Sequence, residues 1–181
     1  LLTGWPIAFG VTNTAYNQAK LALDFYKSLY PTGVDLYSVQ NVSFTGHSLG
    51  GALAGFTAGI YGRSATIFDN QPFELATNIL HGTASLFNVA SPAVDFSKIN
   101  AYATAGEILY LLRGFGVGQS TTVTPIPTYS GFSLSPVNLH SQSLLVNLLY
   151  AKTEEDAGQL SNDWHSIGVP LVNSLFNKDV A

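Results

Sequence analysis

The segment at residues 41–51, NVSFTGHSLGG, limits the possible fold of this chain more than any other stretch. Its pattern is Gly-x-Ser-x-Gly centred on Ser48, and it predicts a strand over residues 42–45, a sharp turn, and a helix over residues 49–61. A side chain two positions before or after the serine is expected to collide with so tight a turn, so both flanking residues should need to be glycine. Gly51 should let the helix lie close to the strand.

A serine in such a turn is placed for nucleophilic chemistry. The Ser48 hydroxyl is expected to project beyond the edge of the sheet, and the following helix directs its unpaired N–H groups and positive dipole end to the same point. The backbone N–H of Leu49 is then the expected first donor of an oxyanion hole. The simpler alternative is a glycine-rich turn in an α/β domain without catalytic function.

A serine nucleophile needs a histidine base, and the chain has four histidines. His47 adjoins Ser48, but neighbours in such a turn point apart, so a packing or hydrogen-bonding role is expected. His81 leaves little chain for an acid before it. His140 follows a strand-and-loop segment at the start of a predicted long helix over residues 139–152, which makes it the expected base; His165 is the alternative.

The base in turn needs a carboxylate to orient it. In α/β-hydrolases the chain order is serine, acid, histidine, which leaves four candidates, Asp69, Glu74, Asp95 and Glu107. Only Asp69 and Glu107 directly follow strand-like runs. Each also has a purely structural interpretation, since Glu107 could interact with a helix dipole and Asp69 could cap the next helix or turn. The residues alone leave the choice open.

Strand and helix patterns alternate along the chain, which predicts a single α/β domain over residues 1–181 with a mostly parallel central sheet flanked by helices. Besides the elements around Ser48 and His140, strands are expected at 5–10, 64–68, 99–104 and 121–126. Helices are expected at 13–30, 73–80, 107–113 and 166–176, the last interrupted by Pro170. Loops are expected at 128–137 and 153–163, and residues 84–90 are ambiguous between strand and loop.

Composition excludes several classes of function. Charged residues make up only 10% of the chain and the net charge is −4, so binding of nucleic acid through its phosphates is not expected. The absence of cysteine excludes disulfides, thiolate catalysis and zinc–thiolate sites. No apolar run is long enough for a membrane span. Without methionine, the chain is expected to be a processed form or a piece of a longer protein.

The sequence also resembles a known family. GHSLGG followed by ALAG resembles the nucleophile turn of class 3 lipase-like α/β-hydrolases, especially relatives found in large secreted bacterial proteins. The sequence HSQSLL, which begins at His140, resembles the segment around the catalytic histidine of those relatives. Residues 99–109 fall where the family has its acid-bearing strand and turn, which favours Glu107 as the acid, although the family usually has aspartate there.

The resemblance has one gap. Residues 5–30 match a segment that, in class 3 lipases, lies downstream of the loop with the second oxyanion donor. That donor is therefore expected to precede Leu1, with Thr12 as a fallback, and the fold is expected to be truncated at its N-terminus.

The resemblance implies a serine hydrolase that cleaves lipid-like acyl esters through an acyl-enzyme on Ser48, with no metal or organic cofactor. Apolar loop residues at 115–118 and 129–134 are candidates for an acyl pocket. Two alternatives are a non-catalytic module of a larger secreted protein, and an acyltransferase or thioesterase with the same three residues. Composition and resemblance together predict secretion.

Overall fold

The structure is a computed structural model, and it describes residues 13–86, 93–114, 121–129, 131–156, 158 and 168–176. The expected strand at residues 5–10, the fallback donor Thr12, the apolar loop at 115–118 and the alternative base His165 lie outside these residues.

Helices and strands alternate through the described part of the chain. In chain order they are α1 (Asn13–Ser28), β1 (Ser43–His47), α2 (Leu49–Tyr61), β2 (Ser64–Phe68), α3 (Glu74–Leu86), β3 (Ile99–Thr104), α4 (Ile108–Gly114), β4 (Val123–Ile126), α5 (Pro136–Leu139), α6 (Gln142–Asp156) and α7 (Val169–Phe176).

The four strands form one parallel sheet in the order β1-β2-β3-β4, flanked by helices, which confirms the predicted α/β class. Register is regular at the strands nearest Ser48, since Ser43 to His47 pair in step with Ser64 to Phe68. The same register carries on from β2 to β3, where Phe68 pairs with Tyr102. The carboxyl ends of β1 and β2 therefore lie side by side, which is where parallel sheets place ligands.

The chain divides into two compact units, which are described separately. The first unit holds residues 1–102 and 112–124, and the second holds residues 103–111 and 125–181. In the first, buried side chains of α2 pack against β2 and β3, with Phe56, Ile67 and Phe73 at most 1% exposed. In the second, Leu144 and Leu148 of α6 are at most 1% exposed.

Several boundaries differ from the sequence prediction. Helix α6 begins at Gln142 rather than near 139 and extends to Asp156, and a separate one-turn helix, α5, begins at the end of the expected loop and continues to Leu139. Ser135 begins this short helix by accepting a hydrogen bond from the N–H of Asn138, with a proline at the start of its first turn. Pro170 is the second residue of α7, where it does not interrupt the helix.

One more difference concerns the middle of the chain. Helix α3 runs to Leu86, so the first three residues of the ambiguous segment 84–90 are helical. None of the helices in the described ranges has both the length and the hydropathy to cross a membrane.

Candidate functional site

Ser48 occupies a strained turn between β1 and α2. Its φ of 57° and ψ of −123° lie in a region that non-glycine residues rarely adopt. Neighbouring backbone holds this conformation in place. The Ser48 N–H donates to the carbonyl of Phe68 at 3.0 Å, and the Ser48 carbonyl accepts from Ala52 at 3.1 Å and from Gln71 at 3.3 Å. The backbone of Ser48, directly after β1, is thus hydrogen-bonded to the end of β2 and to the segment that follows it.

The Ser48 side chain does not cap the helix that it precedes. A serine at this position usually accepts a hydrogen bond from a first-turn N–H group. The intrahelical pattern of α2 begins with the N–H of Ala52, so the N–H groups of Leu49, Gly50 and Gly51 precede it. The first turn of a 13-residue helix therefore presents backbone donors beside Ser48. Leu49 supplies the nearest of them along the chain.

The glycines around Ser48 have unequal roles, which corrects the expectation that both flanks require glycine. A Cβ on Gly46 would lie 2.3 Å from the carbonyl oxygen of Gly50, a backbone clash that forbids any side chain. A Cβ on Gly50 would meet no atom within 4 Å. Gly51 is the second crowded position, because its Cβ would lie 2.9 Å from Cβ of Asn70. The close contact of helix and strand therefore depends on Gly46 and Gly51.

His47, the last residue of β1, lies beside a buried carboxylate. Its Nε2 is 3.6 Å from Oδ2 of Asp69, whose side chain is completely buried. Asp69 follows the end of β2 with a φ of 42°, and its N–H donates to the carbonyl of Tyr102 at 2.8 Å. At 3.6 Å this contact is an ion-pair separation rather than a good hydrogen bond.

The second unit contains a tighter histidine–carboxylate pair. Nδ1 of His140 is 2.8 Å from Oε2 of Glu107. The Glu107 side chain is fully buried and that of His140 is 14% exposed. A carboxylate oxygen accepts, so Nδ1 carries the proton and Nε2 is left as the basic nitrogen of the ring. This is the tautomer that a general base requires.

The Glu107 carboxylate accepts a backbone hydrogen bond in addition to its contact with His140. Its Oε2 also accepts from the N–H of Leu109 at 2.7 Å, at the start of α4. The structural role expected for this residue, at a helix N-terminus, is therefore present together with the contact to His140. A turn with Gly106 at a φ of 83° lies between β3 and Glu107 and directs the carboxylate.

His140 lies between two helices of the second unit. It ends α5, where its N–H donates to the carbonyl of Val137 at 3.1 Å, and it precedes α6. The Ser141 carbonyl accepts from the N–H of Leu145 and starts the second helix. The imidazole is therefore on a corner between two helices, with its backbone fixed on both sides, and it lies two residues before the long helix rather than in its first turn as expected.

The two remaining acid candidates have structural partners. Glu74 is 1% exposed and accepts from the N–H of Thr121 at 2.7 Å, which attaches the chain after α4 to helix α3. Asp95 accepts from the N–H of Ser97 at 2.9 Å at an exposed turn.

The residues that hold the Ser48 turn from outside it have no signal in the sequence. Gln71 binds the Ser48 carbonyl through its backbone, and the carbonyl of Asn70 accepts a hydrogen bond from Nη1 of Arg113. Backbone donors have no residue-type signal, so Gln71 could not have been found from the sequence. An arginine 43 positions away along the chain also gives no local pattern.

A parallel α/β sheet whose strand leads into a strained serine turn and a helix is the arrangement of the α/β-hydrolases. Comparison with known protein families finds a match. The family model of the Tle-like phospholipase domain, which is described as phospholipase-like, matches residues 8–129. That range is about two thirds of the chain, so the protein belongs to this family and is a lipase-like hydrolase domain.

The matched range includes Ser48 and Glu107 and ends before His140. None of the curated proteins matches the chain. The narrower resemblance to class 3 lipases remains a prediction.

Proposed function

We propose that this protein hydrolyses acyl esters of phospholipid-like substrates through a covalent acyl-enzyme on Ser48. The observation that carries the proposal is the strained backbone of Ser48, with φ of 57° at the N-terminus of a helix that its side chain does not cap. Backbone strain of about 1–3 kcal/mol per residue is typical of functional sites. The family supports the lipid ester as the substrate class.

In the proposed mechanism, Oγ of Ser48 attacks the ester carbonyl while Nε2 of His140 accepts the hydroxyl proton. Glu107 keeps the proton on Nδ1 and stabilises the imidazolium that forms, as the 2.8 Å contact between them allows. The carbonyl oxygen becomes an oxyanion, and the N–H of Leu49 donates to it. Collapse of this intermediate breaks the ester bond, and the alcohol leaves with the proton from His140.

The second half of the reaction uses the same groups in the same order. His140 removes a proton from water, and the resulting hydroxide attacks the acyl-enzyme. A second oxyanion forms and is stabilised at the Leu49 N–H. Its collapse releases the fatty acid, and the proton returns to Ser48 through His140.

The direct test is covalent labelling. A fluorophosphonate probe should label the folded wild-type protein and should not label Ser48→Ala, because the phosphorus reacts only with an activated serine. Ser143→Ala is the matched control, since Ser143 lies exposed on α6, and this variant should be labelled like the wild type. Failure to label the folded wild-type protein would sink the proposal and favour a non-catalytic module.

The reaction type needs a product assay. Wild-type protein is mixed with phosphatidylcholine in detergent micelles, and released fatty acid is measured with and without added glycerol as an alternative acceptor. Hydrolysis predicts free fatty acid at the same rate in both mixtures. Accumulation of acylglycerol at the expense of fatty acid would instead identify an acyltransferase.

A further inference from the structure

A polar cleft opens at the amino ends of β1 and β2, within the first unit. Its volume is about 450 Å³. The residues that line it include ones with amide, hydroxyl and cationic groups, namely Gln40, Asn41, Ser43, Arg63, Ser64 and Lys98. No residue of this cleft takes part in the proposed ester hydrolysis.

Arg63 is the unusual member of the cleft, because it is a buried cation. It is 8% exposed, and Nη2 donates to the carbonyls of Leu36, at 3.3 Å, and Tyr37. Nε is buried and has no hydrogen-bond partner among the described residues. Nor does any carboxylate of the described chain form an ion pair with this guanidinium.

Two backbone carbonyls and the neutral hydroxyl of Tyr26 leave the charge of this buried guanidinium uncompensated. It has five N–H donors in a planar fork, and an anionic oxygen group satisfies both the charge and the donors. The neighbouring hydroxyl of Tyr26 does not serve as that anion. Burial and the hydroxyl of Tyr30 raise the pKa of Tyr26, and the nearby Arg63 only partly opposes the shift.

Lys98 adds a second positive charge on the open side of the cleft. Its Nζ donates to the carbonyl of Gly62 at 3.0 Å, which holds the ammonium group near Arg63. Asp95 lies 3.9 Å away and offsets part of this charge. Hydrogen bonds from the hydroxyl and N–H of Ser97 lower the pKa of Asp95, so its carboxylate stays ionised. The cleft still carries one more positive than negative charge.

We propose that this cleft binds a phosphate group, held by Arg63 and Lys98, at a site separate from Ser48. Arginine and lysine with flanking hydroxyl and amide groups are the usual side chains of phosphate sites. Ser43 lies five residues before Ser48 along an extended strand, a span of about 16 Å at 3.3 Å per residue. The ester and phosphate of one phospholipid are separated by only a few bonds, so a substrate at Ser48 would not fill this cleft.

The test is a calorimetric titration of the full chain with inorganic phosphate at constant ionic strength. We expect saturable binding with a dissociation constant on the order of 1 mM. Lys98→Gln should weaken it by about tenfold, because one charge-assisted hydrogen bond is lost. Lys152→Gln is the matched control, since Lys152 is an exposed lysine in an ion pair with Asp156, and it should bind phosphate like the wild type.

Two further variants examine the individual groups of the site. Asp95→Asn keeps the oxygen that accepts from Ser97 but removes the charge, so phosphate binding should tighten by about two- to fivefold. Arg63→Lys keeps the charge but loses the fork, and should weaken binding if the protein folds. Should this variant not fold, the Lys98 and Asp95 variants still decide the outcome.

A second arm identifies the source of the phosphate. Binding is measured to sn-glycerol 3-phosphate in solution and to phosphatidylcholine vesicles with or without phosphatidic acid. Lys98-dependent binding to the soluble ester alone assigns the site to soluble phosphates, and Lys98-dependent binding to the phosphatidic acid vesicles assigns it to a lipid headgroup. Absence of saturable phosphate binding, or equal affinity in wild type and Lys98→Gln, overturns the proposal and leaves Arg63 as a structural tether.

Discussion

Two histidine–carboxylate pairs lie in the part of the chain that the structure describes, and they differ in which ring nitrogen faces the acid. In both, the carboxylate is completely buried and the imidazole is mostly buried, with His47 17% and His140 14% exposed. His140 uses Nδ1 at 2.8 Å from Glu107, whereas His47 turns Nε2 to Asp69 at 3.6 Å. Similar burial therefore accompanies different chemistry.

The choice of nitrogen determines what the ring can do. Nε2 lies at the tip of the imidazole, away from the backbone, and it is the nitrogen that reaches a substrate-side proton in a serine hydrolase. Contact through Nδ1 leaves that tip basic, while contact through Nε2 directs it into the protein. We infer that His140 and Glu107 form the catalytic pair, and that His47 and Asp69 position the ends of β1 and β2.

Replacement of the histidines should separate the two pairs most widely. His140→Gln should lower kcat/KM for a phospholipid ester by about 10⁴-fold or more, because the serine loses its base. His47→Gln should stay within about tenfold of the wild type. Steady-state fatty acid release, with circular dichroism to verify folding, measures both. Equal losses in the two folded variants would contradict the assignment of His140.

The carboxylates should differ by nearly as much. In Glu107→Gln the amide oxygen can replace Oε2 and accept from both the N–H of Leu109 and Nδ1 of His140, because the same oxygen makes both contacts. The negative charge that stabilises the imidazolium is lost, and kcat should fall by about 10³- to 10⁴-fold. Asp69→Asn should change kcat by less than about tenfold. A loss of several orders of magnitude in Asp69→Asn alone would make Asp69 the acid instead.

Much of the fold could be predicted from local pattern. Strands β2 and β3 and helix α2 have the expected limits, because short β-branched runs and a glycine after Tyr61 define their ends. The exceptions depend on tertiary structure or capping. Helix α6 begins after His140 because Ser141, not a residue near 139, accepts its first hydrogen bond. Such a difference of three positions leaves no mark in the apolar periodicity.

For the candidate site, the order of serine, acid and histidine along the chain could be read from the residue types, but the partner of each histidine could not. Asp69 and Glu107 both follow strands and both lie beside a histidine, so proximity to a strand end could not distinguish them. The distinction depends on ring orientation, which is set by the turn at Gly106 and the corner at His140. The Gly50 prediction was wrong for a similar reason, since symmetry of the motif does not imply symmetry of packing.

Gly46 precedes His47 and Gly106 precedes Glu107, and replacing these glycines should change stability rather than activity. Gly46→Ala should destabilise the protein by about 3 kcal/mol or more, since its Cβ would meet backbone atoms that cannot move independently. Gly106→Ala should cost only about 1–2 kcal/mol, because its φ of 83° is strained for alanine while the nearest atom to the new Cβ is 3.5 Å away. Gly50→Ala is the control and should leave stability within about 0.5 kcal/mol of the wild type or raise it, since alanine favours helix. Urea denaturation measures all three, and a Gly46→Ala variant as stable as Gly50→Ala would show that the β1 turn is looser than its backbone contacts imply.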